Sequence, residues 1–300
     1  MTLRMRIAKV AMLTAAAAGT GCGDEGGSGG GAGSLRIQLS AEETITEGLT
    51  PGADEENTKD HGVTYDKFLV AIGRVKLARS ATKESREEPS VYIADMRTVG
   101  AQGTDLGVLA GLSSGQWDQL GYETPVAPAD AKVLPGVSAA DAQVMIDQKL
   151  TYWIEGTVNR TGKPVRFRFQ VATPTVLSDC ESDGEPGLAI TEGGQSSARL
   201  TLHGDHLWFD SLPTGSEGTV ARRADWLAVA ADLLGKTEVT ADDLAQVRAE
   251  QVFPSRLPDG SPGYNLSGAS IATARDWVVA QLATQGHLNG EGECVWTAQR

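Results

Sequence analysis

Three cysteines and four histidines stand in a chain of 300 residues, aromatic residues make up only 5% of it, and 26 basic residues face 39 acidic ones. Each scarcity excludes something. No cysteine has a second at close spacing, which argues against a thiolate metal site. A formal charge of −13 removes nucleic acid as a partner, because phosphate binding needs clustered Lys and Arg. Beyond the first twenty residues no apolar run approaches the ~18 residues that a membrane-spanning helix requires. No H-E-x-x-H, P-loop or Rossmann glycine pattern occurs. A hydrophobic content of 40% is nevertheless ample for a globular core.

The N-terminus reads as an export signal. Arg4, Arg6 and Lys9 form a basic segment, and Val10 to Ala18 form an apolar one too short to span a bilayer. Gly19, Thr20 and Gly21 then lead into Cys22. This arrangement resembles the lipobox of bacterial lipoproteins, in which the cysteine is diacylated and becomes the new N-terminus. The family usually has Leu where Gly19 stands, so ordinary secretion with cleavage nearby stays open. The resemblance implies a signal peptide at 1–21, lipidation of Cys22 and a membrane contact through the lipid alone. Gly23 after the cysteine implies sorting to the outer membrane. The Gly-rich stretch within 22–34 supplies a flexible tether. Cleavage removes three positive charges and no negative ones, taking the formal charge from −13 to −16.

With Cys22 lipidated, Cys180 and Cys294 remain, an even pair in an oxidising compartment and hence an expected disulfide. The body between 35 and 210 reads as strands. Leu35, Ile37 and Leu39 alternate with polar residues. A long run places Val63 and Tyr65, then Phe68, Val70 and Ile72, then Val75 and Leu77 at period two, with two phase slips that predict bulges. Val91 to Met96 and Gln116 to Val126 are further expected strands, and Asp141 to Gln148 a short helix capped by Ser138. The clearest hairpin runs from Leu150 to Val158, turns at Asn159 to Lys163 and returns through Val165, Phe167, Phe169 and Val171. Ala198, Leu200 and Leu202 repeat the alternation, which puts Arg199, Thr201 and His203 on the opposite face. Many short strands of this kind predict an antiparallel β-sandwich of the immunoglobulin or transthyretin sort.

Within it, "YDKFLVAIGRVKL", "VYIADM", "DLGVLAGL" and "GQWDQLGYETP", between Tyr65 and Thr124, resemble in order a recurrent domain of secreted bacterial lipoproteins. That resemblance covers about a quarter of the chain and implies a sandwich fold and no activity.

After Asp210 the character changes to helix, predicting a helical insertion over 211–267 and a C-terminal helix with a disulfide-linked tail over 268–300. Arg222 to Leu234 carries Trp226, Val229, Ala230 and Leu233 on one face, and Ala241 to Gln251 follows Thr240 as a cap. The segment between them resembles an EF-hand calcium loop with much of its ligand set erased. Asp232, Glu238, Thr240 and Asp243 fall at ligand positions, but Leu234 and Lys236 stand where oxygen ligands are required and Thr237 replaces the obligatory Gly. No calcium binding is expected there. A third helix, Ser270 to Gln285, is expected to bury Ile271, Ala274, Val278 and Leu282.

Two patterns bear on chemistry. Gly111, Ser113 and Gly115 match the G-x-S-x-G nucleophile elbow, but the flanking segments read as strands and the motif works only between a strand and a helix. Hydrolysis through Ser113 is therefore disfavoured. The run "HGDH" sets His203 and His206 three apart around Asp205, with Asp210 shortly after, a set that suits zinc or copper. His287 lies seven residues before Cys294, so the expected disulfide would tether it near the sheet, and His61 precedes the long strand. The expected function is a non-catalytic, envelope-anchored lipoprotein, binding or scaffolding an unidentified protein or small molecule. The alternative is a zinc- or copper-binding lipoprotein using His203, His206, Asp205 and Asp210.

Overall fold

The structure, a computed structural model, describes residues 31–54, 57–100, 102–212, 220–266 and 270–299. The segment expected to be an export leader, Cys22 and most of the expected tether lie outside the described residues. The described chain is mainly β, a sandwich with helices along its flank.

Its spine is the long strand Gly62–Ala78. The two phase slips of the sequence are bulges here. Its pairing register shifts between Tyr65 and Lys67 and again between Gly73 and Val75, where Arg74 takes φ 50°. Each shift re-aims the apolar set, so that Val63, Tyr65, Phe68, Val70, Ile72, Val75 and Leu77 all point into one core. Around this strand a nine-stranded sheet is built, including the hairpin Tyr152–Asn159 and Val165–Val171 and the strands Ser85–Asp95, Gln119–Thr124, Thr175–Ser178 and Val295–Ala298. A four-stranded sheet faces it in the order Gly286–Leu288, Gln195–Leu202, Gly33–Ala41, Thr104–Leu112. Leu35, Ile37, Leu39, Leu200 and Leu202 meet Phe68, Phe167 and Phe169 in the shared core.

Several sequence expectations are modified. Not every pairing is antiparallel: Gly33–Ala41 pairs parallel with Gln195–Leu202, and Glu238–Thr240 parallel with Val165–Val171. The strand expected from Gln116 to Val126 splits in two. Gly115–Trp117 pairs with Leu188–Ile190, whereas Gln119–Thr124 joins the nine-stranded sheet. The helix expected from Arg222 starts at Asp225 because the carboxylate of Asp60, remote in sequence, accepts from the amides of Ala224 and Asp225. That helix buries Trp226, Leu227, Ala230 and Ala231, and leaves Val229 and Leu233 in solvent. The helix expected over 241–251 is two short ones, Ala241–Leu244 and Ala249–Val252.

The cap at Thr240 stands, accepting from Asp243 N while Asp243 accepts from Thr240 N. Ser138 likewise caps the helix Ala139–Asp147. The last helix is Ala274–Leu282, with Thr273 and Asp276 forming its capping box. Trp226, Leu244, Phe253 and Trp277 belong to the same core cluster as both sheets, so helices and sandwich share one apolar interior. Cys180 and Cys294 are disulfide-bonded, which pins the tail beside the nine-stranded sheet.

Candidate metal centre

The strand Gln195–Leu202 delivers His203 to the rim of the four-stranded sheet. Alternation puts Arg199, Thr201 and His203 on one side, and all three line a single cleft of about 520 Å³. The neighbouring strand Gly286–Leu288 runs antiparallel and sets His287 opposite Thr201. His203 therefore sits diagonally across from His287 on the same face, with ring centroids 3.9 Å apart. After His203 the chain enters a 3-10 turn, Gly204–Trp208, which brings His206 round to 5.4 Å from His203 and 5.1 Å from His287.

Two glycines permit this convergence. A Cβ on Gly204 would meet Ile45 Cγ1 at 2.5 Å, and one on Gly286 would meet the Tyr122 hydroxyl at 2.6 Å. The turn is wired to the facing sheet by Tyr65, whose hydroxyl donates to Gly204 O and accepts from Trp208 Nε1.

All three histidines are buried, at 5–6% exposure, and each offers a ligand nitrogen within 4.8 Å of the others. Their surroundings differ. His203 Nε2 lies 2.9 Å from Glu42 Oε1 and 3.0 Å from Gly290 O. Burial pulls its pKa down, but the hydrogen bond and charge of Glu42, with Gly290 O and the charge of Asp205, outweigh that and raise it to about 9. His206 is held well below the usual imidazole range, by burial first and by the charges of His203 and Arg222. Its Nδ1 lies 2.9 Å from Thr284 Oγ1, and that hydroxyl donates its one proton to Gln281 O. The hydroxyl must then accept from His206, so Nδ1 carries the hydrogen and Nε2 keeps its lone pair.

His287 is the anomaly. Burial, then the charges of His203 and His206, push it down to about 2, and neither ring nitrogen makes a hydrogen bond of acceptable geometry. The backbone of Glu291 exerts only the smallest upward pull. A buried imidazole without partners is costly unless something ligates it. No known family model, curated protein or solved structure matches this chain.

None of the other residues singled out in the sequence joins the ligand group of this trio. Asp205 is buried, with Oδ2 held by Arg222 Nε at 2.6 Å and Oδ1 unpartnered. Asp210 accepts from Ala221 N and pairs with Arg223 at 3.5 Å; it is not in the histidine group. His61 lies at the start of the long strand, beside Asp60, also outside it. Of the four-residue set read from the sequence, His203 and His206 come together, and the third nitrogen is supplied by His287 rather than by an aspartate. Glu42 carried only the general signal of an acidic loop able to attract cations, Glu291 and Thr284 carried none, and the position of His287 before Cys294 hinted at its arrival.

Ser113 occupies a turn between Thr104–Leu112 and Gly115–Trp117 and donates to Glu84 Oε1. The EF-hand-like carboxylates are held by cations. Asp232 is bound by Arg160 and Lys163, Glu238 by Arg166 and Arg168, and Asp243 by Lys236.

Proposed function

We propose that the protein is a non-catalytic, envelope-anchored lipoprotein whose folded body binds a late first-row divalent ion, zinc or copper, through His203, His206 and His287. The observation that carries the reading is His287, a buried imidazole held neutral beside two others with both nitrogens unpartnered. Three imidazole nitrogens, with His203 giving up its proton as the ion binds, suit zinc or copper(II) and poorly suit calcium or magnesium, which take oxygen ligands. The locked tautomer of His206 supplies the orienting partner that metal-bound histidines ordinarily have. Only the His203 edge of the trio meets the cleft, which favours holding an ion over turning substrate over. The anchor rests on Cys22 and its preceding small residues, and the pair Cys180–Cys294 fits an oxidising space.

Elemental analysis of protein purified without an affinity tag tests this. Wild type is expected to carry about one equivalent of zinc or copper after incubation and desalting. His206→Ala and His287→Ala are expected to carry none, and His61→Ala to match wild type. Near-zero metal in wild type, or full occupancy in the first two variants, would remove the proposal.

A further inference from the structure

The cleft outside the histidines holds a second arrangement of ligand atoms. Glu42, Glu291 and His203 each present one within 4.8 Å of the others. Glu291 is exposed on the turn after His287, and Glu42 is half-buried ahead of the short helix Glu43–Thr46. His203 thus belongs to two groups, one facing the cleft and one facing inward.

The charge of the cleft decides what it can attract. Its lining contains the carboxylates of Glu42, Glu43, Asp205 and Glu291 against the guanidiniums of Arg199 and Arg222. Four negative groups against two guanidiniums and the His203 imidazolium still leave a net negative field between low-dielectric walls, which concentrates cations and repels anions. A second, independent observation lies on the same lining. Asp205 is 2% exposed, and while Arg222 holds its Oδ2, its Oδ1 is buried without any hydrogen bond, an arrangement that calls for a water or cation.

Resting on the histidine site proposed above, we infer that this cleft is a cation vestibule with an outer station, formed by Glu42, Glu291 and His203, through which a hydrated divalent ion reaches the inner histidines. Two carboxylates and one imidazole in an open cleft hold such an ion weakly, with waters completing its shell. Three imidazoles behind them hold zinc or copper more tightly. The transfer is a ligand exchange in which no electrons move. The proton that His203 shares with Glu42 leaves to solvent as the ion enters, and His206 and His287 then replace the carboxylates of Glu42 and Glu291 on the ion.

Cobalt(II), whose visible absorption reports its ligands, is the probe, added to the full chain purified without an affinity tag. Wild type is expected to bind one equivalent tightly and a second weakly. Glu291→Gln, at an exposed turn position, is expected to lose the weak equivalent and to load the tight one on the order of tenfold more slowly. Glu42→Gln should also slow loading, and His206→Ala should keep only the weak equivalent. Wild-type stoichiometry and loading rate in both glutamine variants would overturn the vestibule while leaving the histidine site standing. A wild type that binds no cobalt tightly would overturn that site, and this inference with it.

Discussion

Thr284 has one proton to give, and it gives it to Gln281 O. That choice prepares His206 as a ligand through a residue that touches no metal. Thr284→Val keeps the volume but removes the acceptor, so the imidazole loses its fixed tautomer and orientation. The expected result is a loss of roughly 10–100-fold in zinc affinity with an unchanged far-UV spectrum, read by competition with a chelator. At this scale the sequence was half legible. His203 and His206 announce themselves in "HGDH" because a short spacing survives in one dimension. Asp205 and Asp210 look equally near in the string, yet their carboxylates turn to Arg222 and Arg223, and His287 reaches the trio only across a strand pair.

Secondary elements repeat the contrast. Alternation fixed the strands and even both bulges of Gly62–Ala78, since a one-residue slip would turn every apolar side chain outward. Helix starts were read at the local caps Ser138 and Thr240, but the local capping box at Thr273 and the remote acceptor Asp60 were both missed. Asp60→Ala should cost about 1 kcal/mol by stripping the amides of Ala224 and Asp225 of their acceptor, visible as a lowered thermal midpoint. The capping box at Asp243 predicts a pH effect. Burial pushes that carboxyl up, but the hydrogen bonds from Lys236 and Thr240 win and hold it below the ordinary carboxylate range. A depressed folded value means the unfolded chain binds the proton more readily. The contribution is therefore present above the unfolded value of about 3.9 and is lost as pH falls through the lower folded one. The difference in stability between wild type and Asp243→Ala should accordingly shrink below about pH 4, in thermal or urea unfolding followed by circular dichroism.

For the whole molecule, the disulfide Cys180–Cys294 closes a loop with a sequence separation of 114. Restricting the unfolded chain this way contributes at most about 4–5 kcal/mol. Cys180→Ser with Cys294→Ser should lose up to that amount in denaturant titration. Because the pair also pins the tail that follows His287, the double variant should bind zinc more weakly. Ligand linkage gives a companion test: zinc at a hundred times its dissociation constant should stabilise wild type by about 2.7 kcal/mol and His287→Ala not at all, measured as a shift of the unfolding midpoint.

The sequence by itself determined the principal strands, where the long strand bends, that Cys180 and Cys294 pair, and the net negative charge, because period, parity and charge are local or additive. Tertiary structure alone decided that two strands far apart in sequence pair in parallel, that Asp60 begins a distant helix, that His287 joins His203 and His206, and that Glu42 meets His203. Those outcomes depend on how the sheets stack and which edge meets which. A linear pattern of apolar and polar residues says which side of a strand faces inward, but not which other strand it will find there.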